Sequence, residues 1–172
     1  MPSPLHPAIV HFPIVLIVLG TLVTLPAAFT PRWHLRWIAA ILLALGAAGA
    51  GAALATGEED GEAVEQVAGI DTVLDQHEQW ADRTLGFSVV AGVCALVAAG
   101  ATTHWPRFAR GASLAGLGVA AAATFAVVQT GHYGGQLVYR HGAGVNLAST
   151  TSGGETKGTV PARAKRHDDD DN

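Results

Sequence analysis

The sequence predicts an all-α integral membrane protein, a four-helix bundle with its N-terminus and C-terminus on the same, outer side. Three observations predict it. Charged residues make up only 14% of the 172 residues, against roughly 25% in ordinary soluble domains. All 14 acidic residues fall in two places, nine from Glu58 to Asp82 and five in the tail, at Glu155 and Asp168 to Asp171. Between the charged segments run four apolar stretches of about 20 residues. That is the length a helix needs to cross a hydrocarbon core about 30 Å thick.

The first span is read as Ala8–Phe29. It is too long for a secretory signal core, and no basic segment precedes it. The second is Leu35–Ala55, the third Leu85–Thr103 and the fourth Gly111–Gly131. None holds an Asp, Glu or Lys, and Arg36 stands at an end. A charge at the bilayer centre costs about 2.5–3.5 kcal/mol, which explains the exclusion. A soluble bundle helix needs a polar face. The third and fourth stretches are Ala, Gly, Val and Leu all round. Gly46, Gly49, Gly51, Gly92, Gly100, Gly116 and Gly118 lie within the spans and let helix backbones approach closely in lipid. Trp33, Trp37, Trp80 and Trp105 mark span ends, where an amphipathic ring anchors at the interface.

The first connection, Pro31-Arg32-Trp33-His34-Leu35-Arg36-Trp37, and the last, His104-Trp105-Pro106-Arg107-Phe108-Ala109-Arg110, each carry two Arg and no acid. The positive-inside rule places both in the cytoplasm. Residues 1–148 then form the membrane domain, and 149–172 read as a solvated, disordered tail of polar and charged residues.

Several function classes are excluded. The net charge is −4, with no basic face for nucleic acid. Cys94 is the single cysteine, so no intramolecular disulfide, zinc ribbon or Cys-ligated iron–sulfur cluster forms. No catalytic Ser/His/Asp order, P-loop or Rossmann glycine pattern is present. A transporter stays open as a class, although the spans lack the internal charges that mark many of them.

The eight histidines carry the remaining chemistry. In this topology His6, His11, His77, His132 and His141 gather at the outer ends of three helices, while His34 and His104 lie on the inner side. Imidazole ligates haem iron, zinc, copper and non-haem iron. A haem b site needs two neutral imidazoles from different helices, and Arg83 and Arg140 stand at a level suited to propionates. His11 lies one turn into an apolar helix with Pro13 near its start, and His132 leads into Tyr133-Gly134-Gly135, which reads as a helix stop. Asp75, His77, Glu78 and Asp82 in the acidic loop, with His11 and His132, offer a mixed nitrogen and oxygen site for Zn, Mn, Cu or non-haem Fe, and Asp75-Gln76-His77-Glu78 also reads as the first turn of the third helix, where acids suit the dipole.

Leu5-His6-Pro7-Ala8-Ile9-Val10-His11-Phe12-Pro13 and Gly131-His132-Tyr133-Gly134-Gly135-Gln136-Leu137-Val138-Tyr139-Arg140-His141-Gly142 resemble the DUF2231 family of predicted bacterial membrane proteins. Ala55-Thr56-Gly57 and His77 fit the same pattern, over about residues 4 to 146. The resemblance implies a four-span protein of the bacterial inner membrane, in a family that also occurs with redox domains. This chain departs from the pattern at Glu58-Glu59-Asp60, where the family continues with apolar or aromatic residues.

The reading that follows is an electron carrier or subunit rather than a stand-alone enzyme. It is embedded in lipid and passes electrons to a periplasmic redox protein through haem b held by His11, His77, His132 or His141, with His6 in reserve. The alternatives are a non-haem metal protein using His6, His11, His77, His132, His141 and Glu78, and a cofactor-free structural subunit. The topology is checked by C-terminal fusions in a bacterial host. A reporter active only in the periplasm is expected to work, and one active only in the cytosol to fail. The reverse pattern would invert the bundle.

Overall fold

A computed structural model describes the backbone of residues 5–64 and 69–142, with side chains described for 9–57 and 69–142. The tail from 149 lies outside the described residues. Four helices account for nearly all of the described chain. They are α1 (Leu5–Phe29, 25 residues), α2 (Trp33–Val64, 32 residues), α3 (Asp71–Ala101, 31 residues) and α4 (Pro106–His141, 36 residues). At about 1.5 Å per residue each is longer than a hydrocarbon core.

Each helix packs on its chain neighbours, and α4 closes the ring onto α1. All four contacts are antiparallel, as glycine positions show. A Cβ on Gly20 would lie 2.8 Å from Leu43 side-chain atoms, and one on Gly46 would lie 2.9 Å from Ile17 Cγ1. Gly92 backs onto the Ala44 backbone of α2, and Gly116 of α4 onto Cys94 of α3. Ile17 meets Ala123 and Val127 across the closing contact. The core these contacts enclose is thin, built from Ala40, Leu43, Ala91, Ala95, Ala99 and Ala120. Large side chains point the other way: Leu22 and Val128 are each 60% exposed, with Phe12, Phe125 and Trp105 also outward. An apolar exterior of this extent suits lipid rather than water.

Hydroxyls join the helices at polar points. Thr21 Oγ1 and Thr124 Oγ1 stand 3.0 Å apart across α1 and α4. Thr84 Oγ1 and Thr130 Oγ1 stand 3.1 Å apart across α3 and α4. Each of these threonines also donates to, or lies within reach of, the carbonyl four residues back, so no hydroxyl here is left unpaired in hydrocarbon.

Three sequence expectations are corrected. Gly134-Gly135 does not stop α4. The helix runs on to His141 and ends at Gly142, whose φ of 66° is the left-handed cap and whose N–H reaches Leu137 O and Val138 O. The acidic segment is not all loop, because α2 extends to Val64 and α3 begins at Asp71. Helical backbone satisfies itself in water as in lipid, so a change from apolar to charged residues need not end a helix. Pro13 lies inside α1 rather than near its start. Its ring fills the notch at Gly49, where a Cβ would meet Pro13 Cβ and Cδ at 3.3 Å.

The glycines therefore divide into close contacts and open positions. Gly46→Ala must push against Ile17, including its backbone N at 3.3 Å, whereas Gly100 has nothing within 4 Å. In detergent, Gly46→Ala is expected to lose about 1–3 kcal/mol of stability. Gly100→Ala is expected to be neutral or slightly stabilising. Thermal unfolding of the two variants beside the parent protein checks the contrast.

Candidate functional site: the histidine end

Antiparallel packing puts the start of α1, the end of α2, the start of α3 and the end of α4 at one end of the bundle. His11, His77, His132 and His141 are all at this end, and His34 and His104 at the other. The sequence expectation of a shared end thus holds for these four. His6 belongs to α1, but its side chain lies outside the described residues.

A hydrocarbon core about 30 Å thick spans about 20 helical residues. Counted from Phe29, Thr102 and Arg110, it reaches Ile9 on α1, Asp82 on α3 and Thr130 on α4. His11 and His132 then sit at the hydrocarbon edge. His77 stands about 8 Å above it and His141 about 16 Å. Arg83 and Trp80 share the edge, with the Arg83 guanidinium carbon 4.6 Å from the Trp80 ring centroid. Trp80 also meets Phe125 of α4 edge-on, with centroids 5.7 Å apart.

The four histidines do not face one point. His77 is half-buried and turned to α4, where its Nδ1 lies 3.0 Å from Thr130 O. A carbonyl only accepts, so Nδ1 carries a proton. The ring rests on Gly134, where a Cβ would lie 3.1 Å from His77 Cε1. His141 belongs to the same α3-facing stripe of α4 as Thr130, Gly134 and buried Leu137, at helical spacing. Leu137 packs there with Leu74 of α3 and with Ile70, which precedes that helix.

His132 lies on a different stripe, shared with the outward residues Phe125, Val128 and Tyr139. Its Nε2 is 2.8 Å from Gln136 Nε2, while Arg140 Nη1 donates to Gln136 Oε1 at 3.2 Å. The amide N–H donates, so His132 accepts through Nε2 and holds its proton on Nδ1. Arg140 is thus engaged with Gln136. His11 is likewise exposed, on the α1 stripe of Val15 and Leu22.

The carboxylates Asp75, Glu78 and Asp82 fall on one exposed face of α3, at spacings of three and four residues. His77 points away from that face, to α4. Among the described residues, no three His, Cys, Asp or Glu side chains form a group able to hold a metal ion.

The family described as "Predicted membrane protein (DUF2231)" matches residues 2–147. The chain belongs to the DUF2231 family. No curated protein and no solved structure matches this DUF2231 chain. The family description and the fold agree on a membrane protein with four helices long and apolar enough to cross a bilayer.

Sequence reasoning found the histidines of this DUF2231 protein but missed their partners. Thr130, Gly134 and Gln136 position two of the imidazoles. The spacing of His132, Gln136 and Arg140 at four-residue steps was the available signal for one of them. Histidine-selective ¹⁵N NMR at about pH 8, where ordinary imidazoles are neutral, checks the two protonation assignments. Both His77 and His132 are expected as the Nδ1–H tautomer. Gly134→Ala should move the His77 resonances and leave those of His132 in place.

Proposed function

We propose that the histidine end of this DUF2231 protein holds haem b and that the protein carries electrons between the membrane and a redox protein on the periplasmic side. The observation that carries this reading is the His77 side chain. Its Nδ1–H is held by Thr130 O and its ring is seated on Gly134. A histidine that ligates a metal is typically oriented in this way, by a carbonyl that accepts from one of its ring nitrogens. The donor chemistry therefore fits an iron ligand.

The second imidazole comes from another helix in this reading, with His11 and His132 at the hydrocarbon edge and His141 above it. The alanine-filled core leaves the flank or the end of the bundle, rather than its middle, for a porphyrin. Haem would supply reversible one-electron transfer there, and His77 with a second of these histidines would hold it. Arg83 and Arg140 lie on the same end and offer cationic donors for carboxylates.

One observation favours a second reading, a cofactor-free subunit. His132, Gln136 and Arg140 already form a chain of hydrogen bonds that needs no ligand to complete it.

A reduced-minus-oxidised visible spectrum of protein purified in detergent, from cells supplied with haem, separates the two. Sharp α and β bands with a shifted Soret band are expected, and His77→Ala is expected to abolish them. A flat spectrum would remove the haem reading. Metal analysis of the same sample would then decide between Zn, Cu or non-haem Fe and no cofactor at all.

A further inference from the structure

The opposite end of the bundle holds a feature that the histidine reading does not use. The ends of α1 and α3 and the starts of α2 and α4 meet there around a cavity of about 320 Å³. At about 30 Å³ per water, that is room for roughly ten waters. Its lining includes Thr30, Pro31, Arg36, Thr102, Pro106 and Arg110.

Arg36 was read from the sequence as a charge at a span end, but it is only 5% exposed. Its Nε donates to Ala27 O at 3.4 Å and its Nη1 to Thr102 Oγ1 at 3.1 Å. A guanidinium has five N–H donors. These two bonds leave three without an acceptor among the described residues. No carboxylate is available to it from the neighbouring sequence either, because no Asp or Glu occurs between Asp82 and Glu155 or before Glu58. Arg110 lies across the same cavity and adds a second charge of the same sign. Arg32 stands on the turn before α2 and Arg107 in the first turn of α4. The first turns of α2 and α4 add the partial positive charge of two helix N-termini.

A buried cation with spare donors is costly unless a counter-charge completes it. Two like charges around one cavity raise that cost. The counter-charge has to be an oxyanion with several acceptor oxygens, since the spare donors are planar and forked.

We propose that this cavity binds a phosphate group, held by Arg36 and Arg110 with Thr102 beside it. At the edge of a bilayer, basic pockets between spans take the headgroups of acidic phospholipids. The same donors also suit a free phosphate. The proposal is independent of any cofactor at the histidine end.

The test uses the full chain in a neutral detergent, with thermal unfolding followed by tryptophan fluorescence. Three probes are titrated: short-chain phosphatidylglycerol, short-chain phosphatidylcholine and inorganic phosphate. A saturable rise in the unfolding midpoint is expected with phosphatidylglycerol and not with phosphatidylcholine. A rise with inorganic phosphate alone would identify the free anion as the ligand, and one with phosphatidylglycerol alone the lipid headgroup. Arg110→Gln, at an exposed position with no hydrogen bond or ion pair to lose among the described residues, is expected to weaken half-saturation roughly tenfold. Arg36→Gln should do the same where it folds. No saturable shift with either anionic probe would overturn the proposal. So would an equal response to phosphatidylcholine, or an unchanged response in Arg110→Gln.

Discussion

Within hydrocarbon, one apolar surface gains nothing by hiding from another, so helices hold together only where their backbones come close. That constraint explains the composition of this bundle. Gly20 and Gly46 admit Leu43 and Ile17, and Gly116 admits Cys94. The core between is largely alanine. The large side chains are spent on the lipid face, where they cost nothing and repel water. A soluble protein with the same residues would place them the other way round.

Close packing leaves little space for polar atoms, so each must find a partner within reach. The paired threonines do this twice, once in the α1–α4 contact and once in the α3–α4 contact. Ser88 is the exception among the described side chains: it is fully buried, and its hydroxyl has no hydrogen-bond partner. Arg36 follows the same rule at a larger scale, satisfying part of its guanidinium on Ala27 and Thr102. His77 follows it too, and the carbonyl it finds fixes the tautomer.

Position along the membrane normal was legible in the sequence, and direction around each helix was not. The four spans followed from the confinement of acids, and the shared end of four histidines followed from the spans. Facing was hidden because the spans are apolar all round, so nothing in the pattern marks which side meets a neighbour. His132 and His11 therefore looked as central as His77, yet they lie on outward stripes. Arg36 was placed at a span end, and its burial was hidden for the same reason. Gly134-Gly135 was misread because glycine has two roles. In water-exposed chain it ends helices, but here Gly134 makes room for the His77 ring, and the left-handed stop falls to Gly142. The acidic segment was misread because charge was equated with loop, although α2 and α3 carry their helical backbone into it.

The two ends of the bundle differ in how much change they can absorb. At the arginine end, short turns close tightly: Thr30 N bonds Pro26 O, and Trp105 N bonds Ala101 O. Buried Arg36 ties that end across to α1 and Thr102. Added or deleted residues there would shift every register above. At the histidine end α4 runs on past Thr130 to His141 and α2 past Gly57 to Val64. Chain length can vary at that end without disturbing the spans below. Accessory domains can therefore be gained or lost above the histidines while the membrane frame stays the same.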